Sequence, residues 1–173
     1  MICERKYLEE TIAQWIETVI ADNGRSEEVI YMDKNGVRPP PPFIALQFLG
    51  GSRPGFPSRT KVGETGERKF YAHSEKTISV HGVGEETFDL LQIILDSIYT
   101  GKYKSFLCRK NLVVRKLTDV SQTGSEIDGE IESRCRFDIH VSFIRVVTEK
   151  PGWIENVTIT PEGKPSLSPI TNI

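Results

Sequence analysis

Few residues of this 173-residue chain have the types and spacing that chemistry needs. Its three histidines, His73, His81 and His140, are too scattered for a local metal motif, which gathers its ligands within a few positions of one element. His81 and His140 fall on the polar phase of strand-like runs, where a solvated or hydrogen-bonded surface histidine is expected. A serine, histidine and aspartate triad assembles in space rather than along the chain, so it stays open, although no G-x-S-x-G turn points to one. Gly82-x-Gly84 resembles half of a dinucleotide fingerprint, but Thr87 stands where the third glycine would be, and Glu85 and Glu86 occupy the helix start. Carboxylates there suit the helix dipole and repel a pyrophosphate. Cys3, Cys108 and Cys135 are odd in number and lack C-x-x-C spacing. The last two fall on the apolar side of predicted strands, as buried free thiols of a reducing cytosol do. Asn156-Val157-Thr158 matches a glycosylation acceptor, which only a secreted chain would use. No catalytic, cofactor-binding or metal-ligating residue is predicted.

The elements that would have to position such groups are clearer. From Arg134 to Phe143, the residues Cys135, Phe137, Ile139, Val141 and Phe143 alternate with Arg134, Arg136, Asp138, His140 and Ser142. That period of two predicts a long strand with one face in a core and a charged face toward water or a partner. Such a wall suits the docking of subunits better than it suits catalysis. Leu8, Ile12, Trp15, Ile16 and Val19 recur at helical spacing and predict an amphipathic helix over residues 4–22, closed by Asp22-Asn23-Gly24. A short strand over 28–32 ends in the turn Asp33-Lys34-Asn35-Gly36. Pro39 to Pro42 then holds the chain extended ahead of a strand over 43–49, either as a rigid lead-in or as a ligand for an SH3-type domain.

Residues 70–81 read as a further strand, and Gly82-Val83-Gly84 leads into a helix from Glu85 to about Tyr99. Its Phe88, Leu90, Leu91, Ile93, Ile94, Leu95 and Ile98 cover too much of the circumference for a half-exposed position, which predicts a central buried helix stopped by Gly101. Strands over 105–117, 134–147 and 153–160 complete an α+β pattern of two main helices packed on a mainly antiparallel, mixed β-sheet. One domain over residues 1–160 is expected, with an extended or disordered tail over 161–173. A chain of this length buries roughly 70% of its unfolded surface and needs no metal or disulfide to fold. Its formal charge of -2 argues against broad adhesion to nucleic acid or membrane, while leaving room for a local basic patch. No apolar run suits a membrane span, and Met-Ile-Cys-Glu-Arg-Lys is unlike a signal peptide.

Charge is distributed unevenly. Between Gly50 and Lys69 the chain is rich in glycine, and Arg53, Arg59, Lys61, Arg68 and Lys69 outnumber Glu64 and Glu67. A loop of that length is more often functional or disordered than merely connecting. From Lys102 to Lys116 every ionised side chain is basic, and from Asp119 to Glu132 every one is acidic. Opposite charges across antiparallel strands stabilise the pair by up to about 1 kcal/mol, so one reading is a local hairpin. In the other, the acidic turn reaches the basic strand of a neighbouring copy, and Arg109, Lys110, Arg115, Lys116, Glu126, Asp128, Glu130, Arg134, Arg136 and Asp138 form the subunit interface.

Four features in order make the chain resemble the phage neck and tail terminator family. They are the N-terminal amphipathic helix, the Pro42-Phe43-Ile44-Ala45-Leu46 strand start, Ser79-Val80-His81-Gly82 leading to an apolar helix, and the late strand Glu132-Ser133-Arg134-Cys135-Arg136-Phe137-Asp138-Ile139. The resemblance covers residues 5 to 160. It implies an α+β domain that self-assembles into a homohexameric ring, caps the tail tube, stops its polymerisation and offers a surface to neck or head-completion proteins. It implies a virion location after assembly in the host bacterial cytoplasm, and no enzyme activity or cofactor. The 50–69 loop would then line the ring's channel, where passing DNA meets Arg53, Arg59, Lys61, Arg68 and Lys69, or face a protein partner. A small nucleotide-binding enzyme or hydrolase, and a monomeric adaptor using Pro39 to Pro42, are the alternatives.

Overall fold

The computed structural model describes residues 5–34, 36–63, 65–127, 130–151, 157–159 and 165–167. Along the chain come α1 (Arg5–Asp22), β1 (Glu28–Tyr31), β2 (Phe43–Phe48), β3 (Ser58–Arg59), β4 (Arg68–Val83), α2 (Thr87–Ser97), α3 (Gly101–Arg109), β5 (Val113–Leu117), β6 (Ser121–Ile127), β7 (Glu130–Glu149), β8 (Val157–Ile159) and β9 (Pro165–Leu167). Seven strands make one sheet in the order β1-β2-β4-β7-β5, with β3 on β4 and β6 on β7, and β8 pairs only with β9. All neighbours are antiparallel except β1 and β2, so the sheet is mixed as expected.

β4 and β7 form its spine, paired from Arg68 opposite Glu149 to Val83 opposite Arg134. The alternation read from Arg134 to Phe143 holds: Cys135, Phe137, Ile139, Val141 and Phe143 are all buried. They join Ile44 and Leu46 of β2 and Ile78 and Val80 of β4 beneath Ile12, Trp15, Ile16 and Val19 of α1 and Leu90, Leu91 and Ile94 of α2. Burying side chains of this size contributes about 1.5–3 kcal/mol each, so the helices are fixed to one face of the sheet. The Trp15 indole N–H donates to Ser97 Oγ at 3.1 Å, and that hydroxyl donates to the Ile94 carbonyl at 2.6 Å. The polar tip of the largest buried side chain is therefore satisfied.

α2 does not have the fully buried circumference that its composition predicts. Leu90, Leu91, Ile94 and Leu95 are buried, but Phe88 is 41% exposed and Ile93 half-buried. The helix lies on the sheet instead of inside a second layer. The expected strand over 105–117 divides into α3 and β5. Tyr103, Phe106 and Leu107 have helical spacing and pack toward the core, while Asn111 takes a left-handed φ of 57° that turns the chain into β5. Gly101 accordingly begins α3 after a short turn and stops no central helix. The basic segment also does not pair with the acidic one: β5 and β6 lie consecutively along β7 and never against each other.

The 50–69 segment is more ordered than its composition predicts. Thr77 N–H donates to the Gly50 carbonyl at 3.2 Å, Ser52 N–H to that of Glu75 at 3.2 Å, and Glu75 N–H to that of Ser52 at 2.9 Å. β3 then folds back onto Phe70 and Tyr71 of β4. The predicted strand over 153–160 is described only at β8, and of the tail only β9 is described; Trp153, Asn156 and residues 161–164 and 168–173 lie outside the described residues.

Candidate functional site

Helices cover one face of the spine, and the other face carries the polar phase of β4 and β7. There Thr77, Ser79, His81 and Val83 stand opposite His140, Asp138, Arg136 and Arg134. Thr77 Oγ1 and His140 Nδ1 share a hydrogen bond of 3.1 Å. Arg115 Nε donates to Ser142 Oγ at 3.1 Å, and Ser142 Oγ and Ser52 Oγ donate to the two Glu75 carboxylate oxygens at 3.4 and 3.2 Å. Arg134 Nε donates to Glu132 at 2.8 Å and Arg38 also bonds it. Burial pushes the Glu132 carboxyl toward its neutral form, but these guanidinium bonds outweigh burial and hold it below the ordinary range.

Three polar atoms on this face are buried and lack a hydrogen-bond partner among the described residues: Ser79 Oγ, His81 Nε2 and Asp138 Oδ1. Burial, helped by the charge of Arg136, lowers the His81 pKa and keeps the imidazole neutral. Serine, histidine and aspartate are thus neighbours, yet none bonds another. A nucleophile must be within hydrogen-bond reach of its base and the base of its orienter, and this constellation is not assembled that way. The Gly82-x-Gly84 element is packing, not a phosphate cradle. A Cβ on Gly82 would lie 2.8 Å from both Cys135 Sγ and Thr87 Cβ, so the glycine lets α2 close onto the sheet. Cys135 is a buried thiol whose pKa burial raises, whereas Cys108 is exposed on α3, contrary to its predicted place inside a strand. Among the described residues no cluster of histidine, cysteine, aspartate and glutamate could hold a metal, and no helix is long and apolar enough to cross a membrane.

A cleft of about 540 Å³ opens at the far end of the spine, where α1 stops covering the sheet. Leu8, Phe48, Leu49 and Phe143 give it apolar walls, and Arg5, Arg53, Glu75, Lys76 and Arg145 give it charge. The Ser74 hydroxyl in its lining is buried without a hydrogen-bond partner among the described residues. Gly51 permits its shape: a Cβ there would meet the Glu75 carbonyl oxygen at 2.1 Å. Arg5 is engaged by Glu9 and Asp33, whereas Arg53, Lys76 and Arg145 have no ion-pair partner among the described residues.

A model of the family described as phage neck terminator protein matches residues 6–165. The chain belongs to that family. It is a structural protein of the phage neck, in agreement with the resemblance carried by its four ordered features. No curated protein sequence matches it.

Within this terminator fold the anticipated interface residues are dispersed. Arg109 closes α3 and Lys110 follows it; Arg115 sits at an irregularity of β5 and is bonded to Ser142; the Lys116 backbone faces His140. Arg134, Arg136 and Asp138 share the uncovered face. Glu126 and Glu130 belong to the β6–β7 hairpin, whose tip residue Asp128 lies outside the described residues. Of the loop cations, Arg53 enters the cleft, Arg59 is in β3, Lys61 is exposed beyond it, and Arg68 and Lys69 begin β4 opposite Glu149 and Thr148. Sequence reasoning missed Ser74, Lys76 and Arg145. Their signal is a polar residue on the core phase of a strand: Ser74 and Lys76 continue the Ile78 and Val80 side of β4, and Arg145 continues the Phe143 side of β7. Charge at a core phase marks where the helical cover ends.

Proposed function

We propose that copies of this chain close into a homohexameric ring that caps the end of the tail tube, stops its polymerisation and presents its opposite side to neck or head-completion proteins. The uncovered face of the β4–β7 spine supports this reading best. It carries charged and polar side chains in an unbroken row, Arg134, Arg136, Asp138 and His140, and beneath them Ser79 Oγ, His81 Nε2 and Asp138 Oδ1 have no hydrogen-bond partner among the described residues, although buried polar groups in native proteins are almost always paired. A tube end repeats one set of surfaces around an axis, and a ring of matching symmetry covers every copy while offering different chemistry on its far side. Cyclic rings use heterologous contacts in which one patch meets a different patch on the next copy. Acidic Glu126, Asp128 and Glu130 on one copy and a cationic surface on the next suit that geometry, with Arg109, Lys110, Arg115 and Lys116 as one such surface and Arg134, Arg136 and Asp138 beside it.

The chain thereby acts by binding, with no substrate and no cofactor. Arg53, Arg59, Lys61, Arg68 and Lys69 would face the channel, where DNA presents about one negative charge per 1.7 Å of axis and is held weakly without regard to sequence. Negative-stain microscopy of the purified protein with and without its tube protein tests the reading. Capped tubes and rings are expected; a protein that stays monomeric at high concentration and leaves tube length unchanged would refute it. Removing charge at Arg59, Lys61 and Lys69 should reduce salt-sensitive DNA retention and leave the ring intact.

A further inference from the structure

We infer that the cleft at the end of the spine receives the acidic β6–β7 hairpin of a second copy of this chain. The inference rests on the ring reading and names the receiving surface within it. The cleft combines three cations without ion-pair partners among the described residues, Arg53, Lys76 and Arg145, while Glu75, also in its lining, turns its carboxylate to the other face of the spine, where Ser142 bonds it. Its fifth charged group, Arg5, is neutralised by Glu9 and Asp33. The net field is positive. The apolar walls ask for more than a point anion, because an occupant must bring apolar surface along with its charge.

A duplex does not suit such a site, since its phosphate exterior brings charge without an apolar surface for Leu8, Phe48, Leu49 and Phe143 to cover. The hairpin sequence Glu126-Ile127-Asp128-Gly129-Glu130-Ile131 has the required composition, three carboxylates interleaved with two isoleucines, ahead of Glu132, which Arg38 and Arg134 of its own chain hold. Its backbone also runs past the spine, because β4 ends opposite Arg134, Gly84 N–H still donates to the Ser133 carbonyl at 2.9 Å, and Glu130 to Glu132 continue with β6. One copy cannot place its own hairpin in its own cleft. From Glu130 to Phe143, β7 is a continuous strand rising about 3.3 Å per residue, which separates tip and cleft by about 43 Å. Two complementary patches at opposite ends of one subunit make the head-to-tail contact from which closed rings are built. The inference assigns Arg53 to the subunit contact and leaves Arg59, Lys61, Arg68 and Lys69 to the channel.

The test uses the full chain carrying Glu126→Lys and Glu130→Lys, which cannot fill a neighbour's cleft, as receptor for a fluorescent peptide of residues 121–137. Saturable binding, weakened by salt, is expected in fluorescence anisotropy. Adding Lys76→Glu and Arg145→Glu to the receptor should reduce affinity at least tenfold with unchanged circular dichroism and melting temperature, while Lys76→Arg retains it. A peptide with Glu126→Lys and Glu130→Lys should not bind. Absent binding, binding indifferent to the Lys76 and Arg145 reversals, or binding lost only on Arg109→Glu and Lys110→Glu would overturn the inference, the last by moving the receptor to α3. Light scattering of the unmodified chain judges the ring separately: a monomer that binds the peptide loses the ring and keeps the cleft, and a ring that forms despite the cleft reversals does the opposite.

Discussion

Gly51→Ala is a small change with a calculable consequence. Its Cβ would stand 2.1 Å from the Glu75 carbonyl oxygen and 2.7 Å from Lys76 Cδ. The lysine can swing away, but the carbonyl belongs to the backbone of β4 and cannot. Residues 50–52 must therefore lift off β4, breaking the bonds Thr77 N–H to Gly50, Ser52 N–H to Glu75 and Glu75 N–H to Ser52, at 3.2, 3.2 and 2.9 Å. Each such bond contributes about 0.5–1 kcal/mol net where water can replace it, so the loss is about 1.5–3 kcal/mol. In a domain of this size, where 1 kcal/mol shifts the melting temperature by about 2–4 °C, that lowers it by about 3–12 °C. Calorimetry gives the shift, and amide hydrogen exchange gives its location: Ser52, Glu75 and Thr77 should lose protection while Val80 and Ile139 keep theirs. Unchanged melting with those three amides still protected would refute the claim that the missing Cβ lets this segment pair with β4.

Trp15→Ala should cost about 3–5 kcal/mol in urea denaturation, since it empties the centre of the core and strands the Ser97 hydroxyl's acceptor role. The Tyr103 phenol should titrate near pH 12 in ultraviolet absorbance, pushed up to about 12 by burial first and then by its hydrogen bond to the Asp22 carboxylate and that group's charge. Because the folded value is the higher one, its contribution to stability is complete below about pH 10 and fades as pH rises toward 12, and Asp22→Asn should bring the titration down. Reversing Glu126, Asp128 and Glu130 together should weaken ring assembly in size-exclusion chromatography with light scattering; unchanged assembly would reduce these residues to local features of the hairpin.

Periodicity made much of this molecule legible. Apolar residues spaced at two and at about three and a half positions are local facts, and they located α1 and β7 and told which side of each would be buried, as Phe137, Ile139 and Trp15 confirm, while β2 and β4 were located without a buried side being assigned. The order of those elements sufficed for the family. Where patterning was short it misled: Tyr103, Phe106 and Leu107 make one helical turn and a half, too little to outweigh the β-rich run that follows, and a Gly-Pro-rich segment such as 50–57 gives no sign that its backbone will pair with β4. What belonged to tertiary structure alone was juxtaposition. Lys76 and Arg145 are distant in sequence and unremarkable in type, and they share a cleft with Arg53 because register puts Ala72 opposite Arg145 and Lys76 opposite Val141, while α1 ends short of them. Side-chain period is a property of a few consecutive residues; register and helical cover are set by the whole core, and it is they that decide which charges face one another.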